Sequence, residues 1–143
     1  MTPSVPRGRT HYRWFMTCST RWADNDAYGH VNNTVYYQWF DTAVNAWLVE
    51  AGLLDIEQGD PIGLVVETGC SYFSPLSFPG DVEVGIAVDR LGNSSVAYRI
   101  GIFGAGSVEA SAQGNFTHVY VDRQSRRPAS LPGDWRVKLE SLA

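Results

Sequence analysis

From Tyr12 the chain alternates: Tyr12, Trp14, Met16 and Cys18 are separated by Arg13, Phe15, Thr17 and Ser19. A period of two over eight residues predicts a strand with one face buried. The pattern stops at Asp24, Asn25, Asp26 and Gly29, which is the composition of a loop. From Thr34 to Ala51 there is no Pro or Gly, and apolar residues recur at Tyr36, Trp39/Phe40, Ala43 and Trp47. That is helical spacing. Asn32 or Asn33 suits the N-cap, and Gly52 suits the position just past the last turn. Val35, Val44, Leu48 and Val49 widen the apolar arc, so the helix is expected to be largely enclosed.

Four strand candidates follow. Ile62 to Phe73 is β-rich; Val82, Val84, Ile86 and Val88 alternate with Asp81, Glu83, Gly85 and Ala87; Val96, Tyr98, Ile100 and Ile102 repeat the rule. Leu91-Gly92-Asn93-Ser94 forms the turn between the last two. Val108 to Arg123 is the fifth strand, entered through Gly104-Ala105-Gly106, and a short helix is expected from Asp134. One helix cannot supply the crossovers of a doubly wound parallel sheet. The order instead implies an α+β domain in which an antiparallel sheet packs on one long helix. A single domain is expected over residues 1–143, with a flexible leader at 1–10 and a tail at 124–143.

Charge and composition narrow the function. Eleven Lys+Arg against fifteen Asp+Glu give −4, which argues against a general nucleic-acid binder. The start has no apolar signal run, and no stretch has the roughly 18 apolar residues of a membrane span. The expectation is a soluble, cytoplasmic protein. Cys18 and Cys70 have no C-x-x-C spacing and no basic neighbour in sequence, so they are expected to be small buried hydrophobes. With only His11, His30 and His118, no metal site is expected, and His11 and His118 read as ordinary structural residues.

No nucleophile elbow, dinucleotide fingerprint or phosphate loop is present. The densest polar cluster runs from Asp24 to Asn33. As a calcium loop it fails, because Tyr28 and Val35 stand where oxygen ligands are needed. As structure, its Asp and Asn residues would bond nearby backbone, which is the expectation for Asp24 and for Asn32 as a cap. As a catalyst, it brings the Asp26 carboxylate and the His30 imidazole just ahead of a helix start. The free N–H groups there would polarise a carbonyl and a carboxylate could attack it or activate water.

The segment Thr20-Arg21-Trp22-Ala23-Asp24-Asn25-Asp26-Ala27-Tyr28-Gly29-His30-Val31-Asn32-Asn33-Thr34-Val35-Tyr36-Tyr37 resembles the signature of the 4-hydroxybenzoyl-CoA thioesterase-like acyl-CoA thioesterases. The runs Tyr72-Phe73-Ser74-Pro75-Leu76-Ser77-Phe78-Pro79-Gly80-Asp81 and Leu91-Gly92-Asn93-Ser94-Ser95 are similar too. The resemblance implies a hotdog fold, a curved five-stranded antiparallel sheet wrapped around one long helix. It also implies hydrolysis of an acyl-CoA to free acid and CoA without a cofactor. It places the catalytic carboxylate on Asp26, the amide that grips the thioester oxygen near Asn33, and an orienting role on His30. Tyr28, Val31, Asn32 and Tyr36 would line the substrate.

His30 stands where the 4-hydroxybenzoyl-type members carry an aliphatic residue, which favours an aliphatic or broad acyl preference. Tyr28 stands where plant-type acyl-carrier-protein thioesterases carry Asn, so their particular catalytic set does not carry over. A non-catalytic acyl-CoA binding module on the same fold is the alternative; the Asp–His spacing of hotdog hydratases is absent. CoA phosphates call for basic groups, and Arg123, Arg126 and Arg127 follow the last strand in a tail of five basic and three acidic residues. Relatives pair their sheet edges, so a homodimer or a dimer of dimers is expected.

Overall fold

The computed structural model describes residues 5–143. Its elements are β1 (Trp14–Ser19), α1 (Asn33–Glu50), β2 (Ile62–Tyr72), β3 (Asp81–Leu91), β4 (Ser95–Gly104), β5 (Ala112–Val121) and α2 (Gly133–Glu140). All strand pairs are antiparallel, in the order β1-β3-β4-β5-β2. The sheet curves around α1, the hotdog arrangement. No helix among the described residues is long and apolar enough to cross a membrane.

Alternation decides what faces α1. Val82, Val84, Ile86 and Val88 on β3, Val96, Tyr98, Ile100 and Ile102 on β4, and Ala112, Phe116 and Tyr120 on β5 form one buried cluster. Into it α1 inserts Val35, Tyr36, Trp39, Phe40, Ala43, Val44, Trp47 and Leu48. Full burial of such a side chain contributes about 1.5–3 kcal/mol. Phe40 reaches the sheet because β5 has no side chain at Gly114, where a Cβ would lie 2.7 Å from the Phe40 ring.

Several expectations need correcting. The helix is not largely enclosed: Gln38, Asp41, Thr42, Val49 and Glu50 are exposed, since one chain supplies sheet to only one side of it. Tyr12 does not share a face with Trp14. The chain bends at Arg13 and sends Tyr12 to the outer face, where it packs with Phe15 and Phe103 beneath the Arg9 guanidinium. The last strand starts at Ala112, not Val108, because Gly106 turns with φ +74° and Glu109 pairs with Gly8. Cys18 and Cys70 are half-buried rather than buried.

Residues 1–4 of the expected leader lie outside the described residues. From Val5 the chain is tied down: the Val5 carbonyl accepts from Gln113 Nε2, and Arg7 N–H donates to Gln113 Oε1.

β2 is an edge strand, with Leu64, Val65 and Val66 exposed and a bulge between Val65 and Glu67. It runs from the α1 C-terminal end at Ile62 to the α1 N-terminal end at Tyr72, about 33 Å at roughly 3.3 Å per residue.

Candidate active site

The loop between β1 and α1 is shaped by its own carboxylates. Asp24 is buried, and its Oδ2 accepts Arg21 N–H at 2.8 Å while its Oδ1 accepts Arg21 Nε and Nη2 at 3.0 and 2.8 Å. Its carbonyl accepts Asn32 N–H at 2.8 Å, closing the base of the loop. This is the structural role expected of it.

Two residues on, Asp26 N–H donates to the His30 carbonyl and Gly29 N–H donates to the Asp26 carbonyl. Gly29 has φ +80°, a left-handed position that costs glycine nothing. Asp26 Oδ1 accepts the Tyr28 and His30 amides at 2.8 and 3.3 Å. Among the described residues, no donor reaches its other oxygen.

A distant segment clamps the loop. Val31 N–H donates to the Leu76 carbonyl, Ser77 Oγ to the Gly29 carbonyl and Phe78 N–H to Asn25 Oδ1, at 2.8, 2.8 and 3.0 Å. The chain then enters α1. Asn32 caps it, its Oδ1 accepting Thr34 N–H at 3.0 Å and Thr34 Oγ1 at 2.9 Å, while its carbonyl takes Val35 N–H. The Asn33 N–H is left without an acceptor among the described residues, at the positive end of an 18-residue helix.

Asn33 also lines a cavity of about 310 Å³, with His30, Val31 and Tyr36 on one side and Tyr72, Phe73, Ser74 and Pro75 on the other. Tyr72 hydroxyl donates to the Asn33 carbonyl at 3.3 Å. Tyr36 meets Tyr72 edge-on, with ring centroids 5.0 Å apart.

Burial, together with the nearby Cys70 thiol, raises the Tyr36 hydroxyl to about 12 and moves Tyr72 in the same direction. Both stay protonated near neutrality. Burial lifts Cys70 to about 11, and burial with the Asp81 charge raises Cys18, so neither thiol is activated as a nucleophile. No group of three or more His, Cys, Asp or Glu among the described residues could hold a metal ion.

The expected site residues therefore divide. His30, Val31, Asn33 and Tyr36 share the cavity, whereas Asp26 is not one of its walls and is tied to it only through its hydrogen bond from the His30 N–H. Asn32 is the helix cap, and Tyr28 points to solvent, 87% exposed. Arg123, Arg126 and Arg127 are not brought to this cavity within the chain. They follow Val121, which pairs with Ile62, whereas Tyr72 pairs with Ala112 at the other end of the ladder. The Arg123 guanidinium is moreover occupied, donating to the Gly59 and Ile56 carbonyls. The pattern missed the wall from Tyr72 to Pro75. The available signal was the break of a β-run at Ser74-Pro75, in a segment that resembled the family already.

Comparison with known proteins agrees with this fold. A family model described as the thioesterase-like superfamily matches residues 20–139. The crystal structure of the PA5185 protein from Pseudomonas aeruginosa is similar at 51% identity and TM-score 0.92, with 96% of each chain covered. A gentisyl-coenzyme A thioesterase, BH1999, is similar at 26% identity and TM-score 0.75, covering 89% of this chain and 99% of its own. A 1,4-dihydroxy-2-naphthoyl-CoA thioesterase from Synechocystis is 22% identical with TM-score 0.80, over 90% of this chain and 96% of its own, a likeness of fold alone. None of the curated proteins compared with the chain matches it.

Proposed function

The chain belongs to the thioesterase-like superfamily, and on that premise we propose that it hydrolyses an acyl thioester of coenzyme A, with Asp26 as the catalytic carboxylate. The observation that carries this reading is Asn33 at the start of α1, its N–H without an acceptor among the described residues, in the wall of a cavity beside His30, whose own N–H holds Asp26. The likeness to a gentisyl-coenzyme A thioesterase supports coenzyme A as the thiol.

The thioester oxygen sits on the Asn33 amide, where the helix start stabilises the charge that builds up as the carbonyl carbon becomes tetrahedral. Asp26 Oδ1 is held by two backbone amides, so the carboxylate has one fixed oxygen and one free one. The free oxygen acts on the carbonyl carbon, directly or by taking a proton from water. Collapse of the intermediate breaks the C–S bond and expels the thiolate, which takes up a proton; after direct attack, water then hydrolyses the acyl anhydride left on Asp26, so that either route consumes one water and ends in free acid, thiol and the restored carboxylate. His30, on the cavity wall and tied to Asp26 through its backbone, orients the substrate or the water.

A second copy completes the site. β2 is an unpaired edge with three exposed apolar residues, and an isologous antiparallel pairing across it would run each β2 against the other end to end. Arg126 and Arg127 of the partner subunit then lie at the Tyr72 end of this chain, where the coenzyme A phosphates emerge.

The test is thiol release from a panel of acyl-CoA thioesters by wild type and Asp26→Asn. The amide keeps an oxygen for the Tyr28 and His30 N–H groups, so the loop survives while the base is lost. Turnover should fall by about 10²–10⁴, with an unchanged melting temperature. A variant that stays within a few-fold of wild type removes the mechanism.

A further inference from the structure

The face of the sheet turned away from α1 carries a cleft that shares no wall with the cavity at Asn33. Alternation puts it there. Ile100 and Ile102 of β4 and Ala112 and Phe116 of β5 pack in the cluster with α1, so Arg99, Gly101, Gln113 and Asn115 face outward. Asn115 pairs with Arg99 on one side and with Gly69 of β2 on the other. The segment ahead of β1 crosses this face, anchored where Arg7 N–H donates to Gln113 Oε1. The resulting cleft, about 400 Å³, is lined by Arg7, Gly69, Asp89, Arg99, Gln113 and Asn115 among others.

Its charges do not balance. Arg99 pairs with Asp89 through Nη1, and its Nε and Nη2 donate to the His11 carbonyl at 3.1 and 2.9 Å. Those two charges cancel. Arg7 has no ion pair among the described residues, so the cleft keeps one uncompensated positive charge in a chain of net −4. Donors are left over as well. Tyr12 is 4% exposed, and its hydroxyl lies over Gly101, where a Cβ would come within 2.7 Å of it. The charges of Arg7, Arg99 and Asp89 all act on that hydroxyl, which puts it next to the charged end of the cleft. Arg7 approaches it, yet no well-formed hydrogen bond reaches it among the described residues. A guanidinium only donates, so Arg7 cannot take the hydroxyl proton in any case. The exposed Asn115 accepts from Thr68 Oγ1 through its backbone carbonyl and leaves its side-chain amide unused among the described residues. A buried hydroxyl, a guanidinium and an amide here all lack the same thing, an acceptor.

We propose that this outer cleft is a binding site for a small oxyanion, a carboxylate or a phosphate group, held by Arg7, Asn115 and the Tyr12 hydroxyl. The anion neutralises the spare charge of Arg7 and accepts from its planar fork and from the Asn115 amide. The Tyr12 proton joins as third donor when the half-buried Arg7 arm turns to meet the ligand. Glycine at position 69 leaves the ground beside Asn115 open, since a Cβ there would stand 3.5 Å from Asn115 Nδ2. The site does not depend on the hydrolase reading. Pairing of a second copy along β2 extends the sheet sideways and leaves this face uncovered.

The test is a nitrogen-15 NMR titration of the full chain with inorganic phosphate and, separately, with acetate, at ionic strength held constant by sodium chloride. In wild type the Asn115 side-chain amide and the Gly69 N–H should shift and saturate, with Kd at or below about 10 mM for at least one of the two anions. Saturation by phosphate alone assigns a phosphate ester, by acetate alone a carboxylate, and by both a general oxyanion site. Arg7→Met keeps the backbone anchor to Gln113 and should weaken Kd by at least about tenfold. Tyr12→Phe keeps the ring packing and should weaken it by about threefold, with no loss of melting temperature in anion-free buffer, because the hydroxyl has no partner to lose. Shifts that stay linear for both anions in wild type overturn the proposal. So do saturating shifts that bypass Asn115, or an unchanged Kd in either folded variant. Should a variant not fold, the wild-type titration followed at Asn115 decides alone.

Discussion

The two ends of α1 each place a histidine beside a cavity, and they use it in opposite ways. At the N-terminal end His30 is exposed, its backbone holds Asp26, and the cavity is open and ends on an unpartnered backbone donor. At the C-terminal end His118 is 3% exposed and enclosed by the rings of Tyr98, Phe116 and Tyr120. Its Nδ1 has no partner among the described residues, and burial lowers its pKa to about 4. Both ends leave a polar group unpaired. Only the first leaves it on an open cavity, beside a histidine whose N–H holds a carboxylate. On the proposed mechanism, access and neighbouring chemistry, not the residue type, set His30 apart from the structural His118.

This contrast can be broken most sharply by exchanging which histidine is lost. His30→Gln should lower kcat by about 10², whereas His118→Phe should leave kcat within about twofold, read by the same thiol-release assay. Equal losses from both would mean that the two ends are coupled and the distinction is false.

The next effect is on stability against pH. His118 is held neutral in the fold, with its pKa near 4 against 6.5 in the unfolded chain. Above pH 6.5 neither state binds the proton and the term is flat. As pH falls from 6.5 towards 4 the unfolded chain takes it up first, so stability declines, by roughly 3 kcal/mol in all. Chemical denaturation across that window should show this slope, and His118→Phe should flatten it. A wild-type stability that does not fall between pH 6.5 and 4 would show that the imidazole finds a partner in solution.

The smallest effect sharpens the view of the open end. Asn32→Ala removes the cap that fixes Thr34 and should cost about 1 kcal/mol in denaturant melts. It should also reduce kcat more than it raises KM, since the cap aims the neighbouring Asn33 N–H. A purely stabilising cap would leave both kinetic constants alone once the protein is folded.

The sequence patterns that made the fold legible were local ones. Period-two runs placed β1 to β5 within a few residues, and the Pro- and Gly-free stretch ahead of Gly52 placed α1, because burial of one face is written directly into spacing. The loop from Asp24 to Asn33 was legible for the same reason, as a short continuous motif. The facing wall was not. Tyr72 meets Asn33 only because β2 crosses to the far edge of the sheet, beyond β5, and nothing in the alternation of Ile62 to Phe73 encodes that position. The arginines after β5 failed as in-chain contacts for the related reason that strand direction, not sequence proximity, decides which end of the sheet they occupy. Tyr12 was misplaced by a single bend at Arg13, which period counting cannot see.

The three bonds that bind the segment from Leu76 to Phe78 to Asn25, Gly29 and Val31 have a consequence for assembly of the molecule. They close, by hydrogen bonds, a chain loop of about fifty residues that includes the whole of α1 and β2. A nascent chain that has emerged only as far as α1 carries Asp26, His30 and Asn33 and yet lacks the segment that holds their loop in place. On the proposed function, competence arrives with the later segment, and an incomplete chain on the ribosome would leave acyl thioesters untouched.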